Sequence, residues 1–302
     1  MCGRLAQVVA LAIGWLTVCP FAHSQLSAPV GEFPSPRICQ SSSQAGDELT
    51  SGPDITLAEL KFEGNLRLPQ ATQDQIAAEI QQHLYKGAVD GAVDEVEERT
   101  RLGWQNNGYF FVEVSESSRR VLTSNPVSQR IAMVLHLEEG LQYRLKSITF
   151  KNNRVISNVE SLRMQFPIAD GDIFDREKIS DGLKALRFAY GQIGYMNFAP
   201  FPDARPEDIG QTISLQINID EGKQFYVSGV QILGLDDDAT QRALKDLVLT
   251  RGVIYDSRLV ERFLQNRVFQ GDRPRRPGLS YQIDEKSDLV GLTLDFRPCS
   301  PE

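Results

Sequence analysis

From Ile55 onward, apolar and polar positions follow a pattern that changes period in the same order three times. Period-two alternation, the mark of a half-buried strand, runs through Leu57-Ala58-Glu59-Leu60-Lys61-Phe62 and ends in Glu63-Gly64-Asn65. It returns at Arg144 to Asn153 and again at Tyr226 to Leu235. Helical spacing follows each strand: Ile76, Ile80 and Leu84 in the first unit; Val159, Leu162 and Phe166 in the second; Leu244, Leu247 and Val248 in the third. A second helical stripe comes next, clearest as Ile179, Leu183, Leu186 and Tyr190. Its counterparts are Val93, Val96 and Trp104, and Leu259, Phe263 and Leu264. Asp175 and Asp256 stand where N-caps belong. Two alternating stretches close each unit: Tyr109 to Ser115 with Gln129 to Leu137, Tyr195 to Phe198 with Thr212 to Ile219, and Leu279 to Ile283 with Val290 to Phe296. The predicted order is β-α-α-β-β, three times over, which makes the chain α+β.

Three landmarks share nearly one period. Phe62, Phe150 and Ile232 are spaced by 88 and 82 residues. Glu139-Gly140 and Glu221-Gly222 are spaced by 82, and Gly108-Tyr109 and Gly194-Tyr195 by 86. The expected units are 55–140, 141–222 and 223–298, laid end to end in an elongated array, with a tail at 299–302. Residues 25–54, rich in Ser, Pro, Gly and Gln, read as a flexible linker.

The order and landmarks resemble the POTRA repeats of the Omp85 outer-membrane assembly family. Phe62-Glu63-Gly64-Asn65 is similar to the family's first-strand signature. Gly171-Asp172-Ile173-Phe174-Asp175 and Gly252-Val253-Ile254-Tyr255-Asp256 resemble its "G-x-x-φ-D" motif before the second helix. Gly194-Tyr195 resembles its "GY", and Leu137-Glu138-Glu139-Gly140 and Ile219-Asp220-Glu221-Gly222 its "V-x-E-G". The third unit lacks the Gly-Tyr, and the first has only Gly87-Ala88-Val89-Asp90 at the helix motif. Family members continue into a membrane barrel. The alternating strands of about ten residues with aromatic girdles that build one are not found in these 302 residues, so barrel functions are not expected of them.

Export is expected from the first 24 residues. Arg4 precedes an uncharged, largely apolar run from Leu5 to Phe21, and Ala22-His23-Ser24 supplies small residues at a cleavage site. The mature chain would start at Gln25 and contain no membrane span. The net charge of −8 disfavours nucleic acid as a partner. Arg273, Arg275 and Arg276, between prolines, read as a solvated loop. Cys39 and Cys299 remain after the leader. Three units of roughly 25–30 Å each would hold their surroundings about 70 Å apart. The 15 residues between Gln40 and Asp54 reach about 50 Å when stretched. A Cys39–Cys299 bond would need a bent arrangement, and free thiols or an intermolecular bond stay open.

No catalytic, cofactor or metal site is expected. His83 and His136 are the only histidines outside the leader, and G-x-S-x-G, H-E-x-x-H and phosphate-binding loops are missing. Adjacent carboxylates such as Glu138-Glu139 and Asp220-Glu221 point to opposite faces of a strand. Asp236-Asp237-Asp238 suits a helix start. The resemblance implies that the second strand of each unit is a free sheet edge, able to accept an extended peptide by strand addition. Tyr109, Phe110, Phe111, Val112, Glu113 and Val114 are the first expected docking edge; Tyr195, Met196, Asn197 and Phe198 are a shorter second. The expected function is a periplasmic scaffold, associated with the outer membrane, that binds unfolded or extended polypeptides during outer-membrane protein assembly or transport. A separately encoded β-barrel is a further candidate partner. A cell-division or envelope-structure protein with a fixed partner, and an exported enzyme without a recognisable site, are the alternatives.

Overall fold

The computed structural model describes residues 52–265 and 277–297. The expected leader, most of the expected linker, Cys39, Cys299, the three-arginine loop and the tail lie outside the described residues. The first strand starts at Asp54.

The first unit consists of β1 (Asp54–Glu63), α1 (Gln70–Gln81), β2 (Leu84–Lys86), α2 (Val89–Gln105), β3 (Glu113–Ser124) and β4 (Ser128–Glu138). The second consists of β5 (Arg144–Lys151), α3 (Val159–Arg163), α4 (Arg176–Gly191), β6 (Ala199–Glu207) and β7 (Thr212–Asp220). The third consists of β8 (Tyr226–Leu233), α5 (Asp237–Leu247), α6 (Ser257–Gln265), β9 (Gly278–Asp284) and β10 (Leu289–Asp295). Asp175 and Asp236 cap α4 and α5 by accepting backbone N–H bonds, so the acidic triplet at 236–238 begins a helix.

Each unit has its own sheet. The orders are β2-β1-β4-β3, β5-β7-β6 and β8-β10-β9. In all three, the first strand runs parallel to the last, and the strand between them in sequence pairs antiparallel on the outside. The parallel pair carries a register break at one equivalent place, between Leu57 and Glu59, Leu145 and Ser147, and Val290 and Gly291. A separate core fills each unit. The first is centred on Trp104, Tyr85 and Met133, the second on Tyr190, Leu186 and Leu145, and the third on Phe225, Leu294 and Val227. Short β2 pairs with the start of β1 and was not expected; three residues are too few to show a period.

The loops after β4 and β7 are held by one glutamate each. Buried Glu139 accepts from the Arg67 and Leu68 N–H groups at 2.6 and 3.1 Å and from Trp104 Nε1 at 2.8 Å. Glu221 accepts from the Val155 N–H at 2.7 Å and from the Tyr190 hydroxyl at 3.1 Å. Gly140 and Gly222 follow at φ of 68° and 66°, a backbone region glycine enters freely. In the third unit the matching position in sequence is Pro298, which lies outside the described residues.

Candidate functional site

The expected docking segments fall mostly outside strands. Tyr109 to Val112 form a turn between α2 and β3, and only Glu113 and Val114 lie in β3. Tyr195 to Phe198 likewise form a turn before β6. Their apolar character has another cause. Phe110 packs against the core of the second unit, with its ring perpendicular to Phe174 at 5.5 Å. Met196 packs against the core of the third. Tyr109, Val112 and Phe198 are buried, and Phe111 is half exposed. Asn197 donates to Glu285 Oε1 at 2.9 Å across the second junction.

The two junctions share the same central contacts. The Gly108 carbonyl accepts from the Tyr143 N–H at 2.8 Å, and the Gly194 carbonyl from the Phe225 N–H at 2.9 Å. Gln142 Nε2 donates to the Asn107 carbonyl, and Gln224 Nε2 to the Ile193 carbonyl, both at 2.9 Å. Both glycines sit at φ 88°, and a Cβ on either would lie 2.8 Å from Ile173 or Ile254. The Gly-Tyr landmark is therefore a joint between units, which its sequence spacing alone did not reveal.

The outer strands β3, β6 and β9 are sheet edges, and they differ in character. Val114, Glu116, Arg119 and Val121 of β3 stand opposite Leu137, Leu135, Met133 and Ile131 of β4, on the helix-covered side. The same places in β6, opposite Ile219, Ile217, Leu215 and Ile213, hold Pro200, Pro202, Ala204 and Pro206. In β9, opposite Leu294, Leu292 and Val290, they hold Leu279, Tyr281 and Ile283. Arg119 pairs with Asp90 at 2.6 Å and with Glu116 at 3.7 Å. Tyr281 shares a 2.9 Å hydrogen bond with the Tyr255 hydroxyl. Burial is the main reason the Tyr255 phenol is held above its ordinary value. Beside β6, a cavity of about 700 Å³ opens between α4 and the junction, walled by Phe110, Phe174, Leu183, Pro202 and Leu215. β9 was missing from the expected docking residues; its signal is the alternation of Leu279, Tyr281 and Ile283.

The histidines do not assemble a site. His83 lies 3.1 Å from Glu95 and 2.9 Å from Arg99, and His136 lies 3.9 Å from Glu63, each partly exposed. Among the described residues, no group of three or more His, Cys, Asp or Glu could hold a metal ion. Among them too, no helix is long and apolar enough to cross a membrane.

The repeats pair their first and last strands in parallel, carry an antiparallel edge strand and meet at glycine joints, an architecture that matches POTRA domain structures. Residues 143–222 match the POTRA family model, described as "Surface antigen variable number repeat". The chain shares its fold with the BamA POTRA3-5 crystal structure from Haemophilus influenzae, at a TM-score of 0.62 and 19% identity over 82% of this chain and 98% of that one. It is 20% identical over 270 residues to the "Putative outer membrane protein assembly factor" of Treponema pallidum (strain Nichols), covering 85% of this chain and 31% of the relative. It is 20% identical over 163 residues to the outer membrane protein assembly factor BamA of Neisseria meningitidis serogroup B, covering 53% of this chain and 20% of that protein. The resemblance to POTRA repeats of outer-membrane assembly factors thus holds in sequence and fold, and the matches span about a third or less of these relatives' length.

Proposed function

We propose that this chain is a non-catalytic periplasmic scaffold, associated with the outer membrane, that binds extended polypeptides during outer-membrane protein assembly or transport. Docking occurs by strand addition to the outer edge of a repeat. The observation that carries the reading is topological: β3, β6 and β9 each lie at the end of a sheet, and no described strand pairs with their outer sides. Unpaired N–H and C=O groups along an edge are complemented by another extended backbone, with loose demands on side chains. Relatives named as outer membrane assembly factors support the setting.

In this reading residues 1–24 direct export, 25–54 link, and 55–140, 141–222 and 223–298 are the three repeat units of the scaffold. Tyr109 to Val112 and Tyr195 to Phe198 serve the joints, and Glu113 and Val114 begin the outer strand β3. A separately encoded barrel is the partner of the assembled scaffold.

Photo-crosslinkers placed singly at Ser115, Phe201 and Gln282 in cells test the reading. Capture of outer-membrane protein precursors at any of these edges supports it. Capture of one inner-membrane protein alone would replace it with a fixed-partner envelope role.

A further inference from the structure

The three edges are not equivalent, and the difference lies at matching positions. Backbone groups of an outer strand alternate between facing the sheet and facing away. The ladder of β6 on β7 is unbroken from Ala199 to Glu207. Proline has no N–H to give a ladder, so Pro200, Pro202 and Pro206 occupy the outward half of that alternation. Of the outward positions 200, 202, 204 and 206, only Ala204 keeps a donor. An incoming strand finds acceptors there and almost no donors.

The edge of β3 is closed differently. Its equivalent positions include Glu116 and Arg119, charges on the helix-covered side, with Arg119 tied to Asp90 of α2. Register breaks between Glu116 and Ser118 and between Val121 and Thr123 disrupt the regular spacing that an added strand must match. Inward charges, bulges and prolines are the devices by which sheet edges avoid pairing.

β9 carries none of these. Its ladder on β10 is unbroken from Gly278 to Asp284, with no proline and no charge before Asp284. Where β6 has Pro202, Ala204 and Pro206, β9 has Leu279, Tyr281 and Ile283, which by the same register keep their outward N–H groups. These three large side chains are 37, 40 and 41% exposed on the helix-covered side, an apolar stripe that a further strand would extend.

We propose that β9 is the edge that receives polypeptide, and that its partner is an extended segment with apolar residues at alternate positions, while β3 and β6 are closed to strand addition. This rests on the strand-addition reading above and adds which repeat acts and what it selects.

The test uses the full chain and a labelled peptide of alternating valine and threonine with lysine at each end, followed by fluorescence anisotropy. The double variant Leu279→Pro/Ile283→Pro copies the β6 pattern and leaves the ladder-facing N–H groups alone. It is expected to weaken binding by at least about tenfold. Tyr281→Phe keeps the N–H and loses only the hydroxyl, and should bind like the parent. The converse variant, Pro202→Leu/Pro206→Ile, should raise the stoichiometry from one peptide to two. If the double proline variant binds normally while a peptide N-methylated at alternate residues fails, strand addition stands and the assignment to β9 is overturned. If the N-methylated peptide binds as well as the parent peptide, strand addition itself is overturned.

Discussion

Replacing Glu139 by alanine tests whether the Glu-Gly landmark is a structural clamp. The carboxylate is the shared acceptor for two backbone N–H groups and for the Trp104 indole. Leu68 and Trp104 are buried, so water cannot take over these bonds without rearrangement. An unsatisfied buried donor costs about 1–3 kcal/mol, which puts the loss for two at roughly 2–6 kcal/mol. That is a large share of the 5–15 kcal/mol typical of a whole domain. The Glu139→Gln variant retains one carbonyl acceptor and should lose less than half as much. Urea unfolding followed by tryptophan emission is the assay, because Trp104 reports on the first unit from inside the clamp. It packs edge-on against Phe62 at 4.8 Å, so its emission changes when that core opens. The midpoint should fall with little change in slope. A loss below about 1 kcal/mol in Glu139→Ala would show that the donors find other partners, and the clamp argument would be refuted.

Three further outcomes are expected. Gly182→Ala should destabilise the second unit by about 1–3 kcal/mol in thermal melts, since overpacking strains a filled core; a Cβ there would lie 2.1 Å from the Phe166 ring. Gly108→Ala should loosen the first joint, through its φ of 88° and a clash with the Tyr143 carbonyl at 2.8 Å, and limited proteolysis should then cut near residues 107–112 while 143–222 survives. Alkaline titration of phenolate absorbance should find Tyr143 and Tyr85 ionising near pH 12. The Asp208 hydrogen bond raises the first to about 12, and burial the second to about 12. Both pKa values are higher folded than unfolded, so their stability contribution is complete below about pH 10 and is lost as pH rises towards 12. Tyr143→Phe should remove part of that alkaline dependence.

The repeats were legible in sequence because each unit solves one packing problem with the same spacing. Leu57, Leu145 and Val227 recur because each first strand must present a core residue just before its register break. The docking edges were not legible to the same degree. Tyr-Phe-Phe-Val-Glu-Val reads as a strand by composition, yet Phe110 is apolar because it fills the core of the next unit. A local pattern records that a residue is buried and does not record which unit buries it. The three prolines at 200, 202 and 206 are poor strand formers by propensity; an outer position tolerates them because the outward N–H is not needed. β9 was read as a closing strand, and its importance emerges only when the three edges are compared position by position.

The two joints have one more consequence. The carbonyl of Gly108 and that of Gly194 meet the same kind of partner, a backbone N–H beside a glutamine amide and a branched aliphatic residue. Such couplings are interchangeable parts. Deleting one whole period, so that residue 140 is followed directly by residue 223, would bring the turn after α2 onto Phe225, Gln224 and Ile254, with the glycine-carbonyl and glutamine-amide bonds matched in kind and the Asn106–Glu177 side-chain bond lost. A chain with such couplings can gain or lose a middle segment by recombination without redesigning either neighbour. The number of units can then drift over evolution while the first and last keep their separate characters.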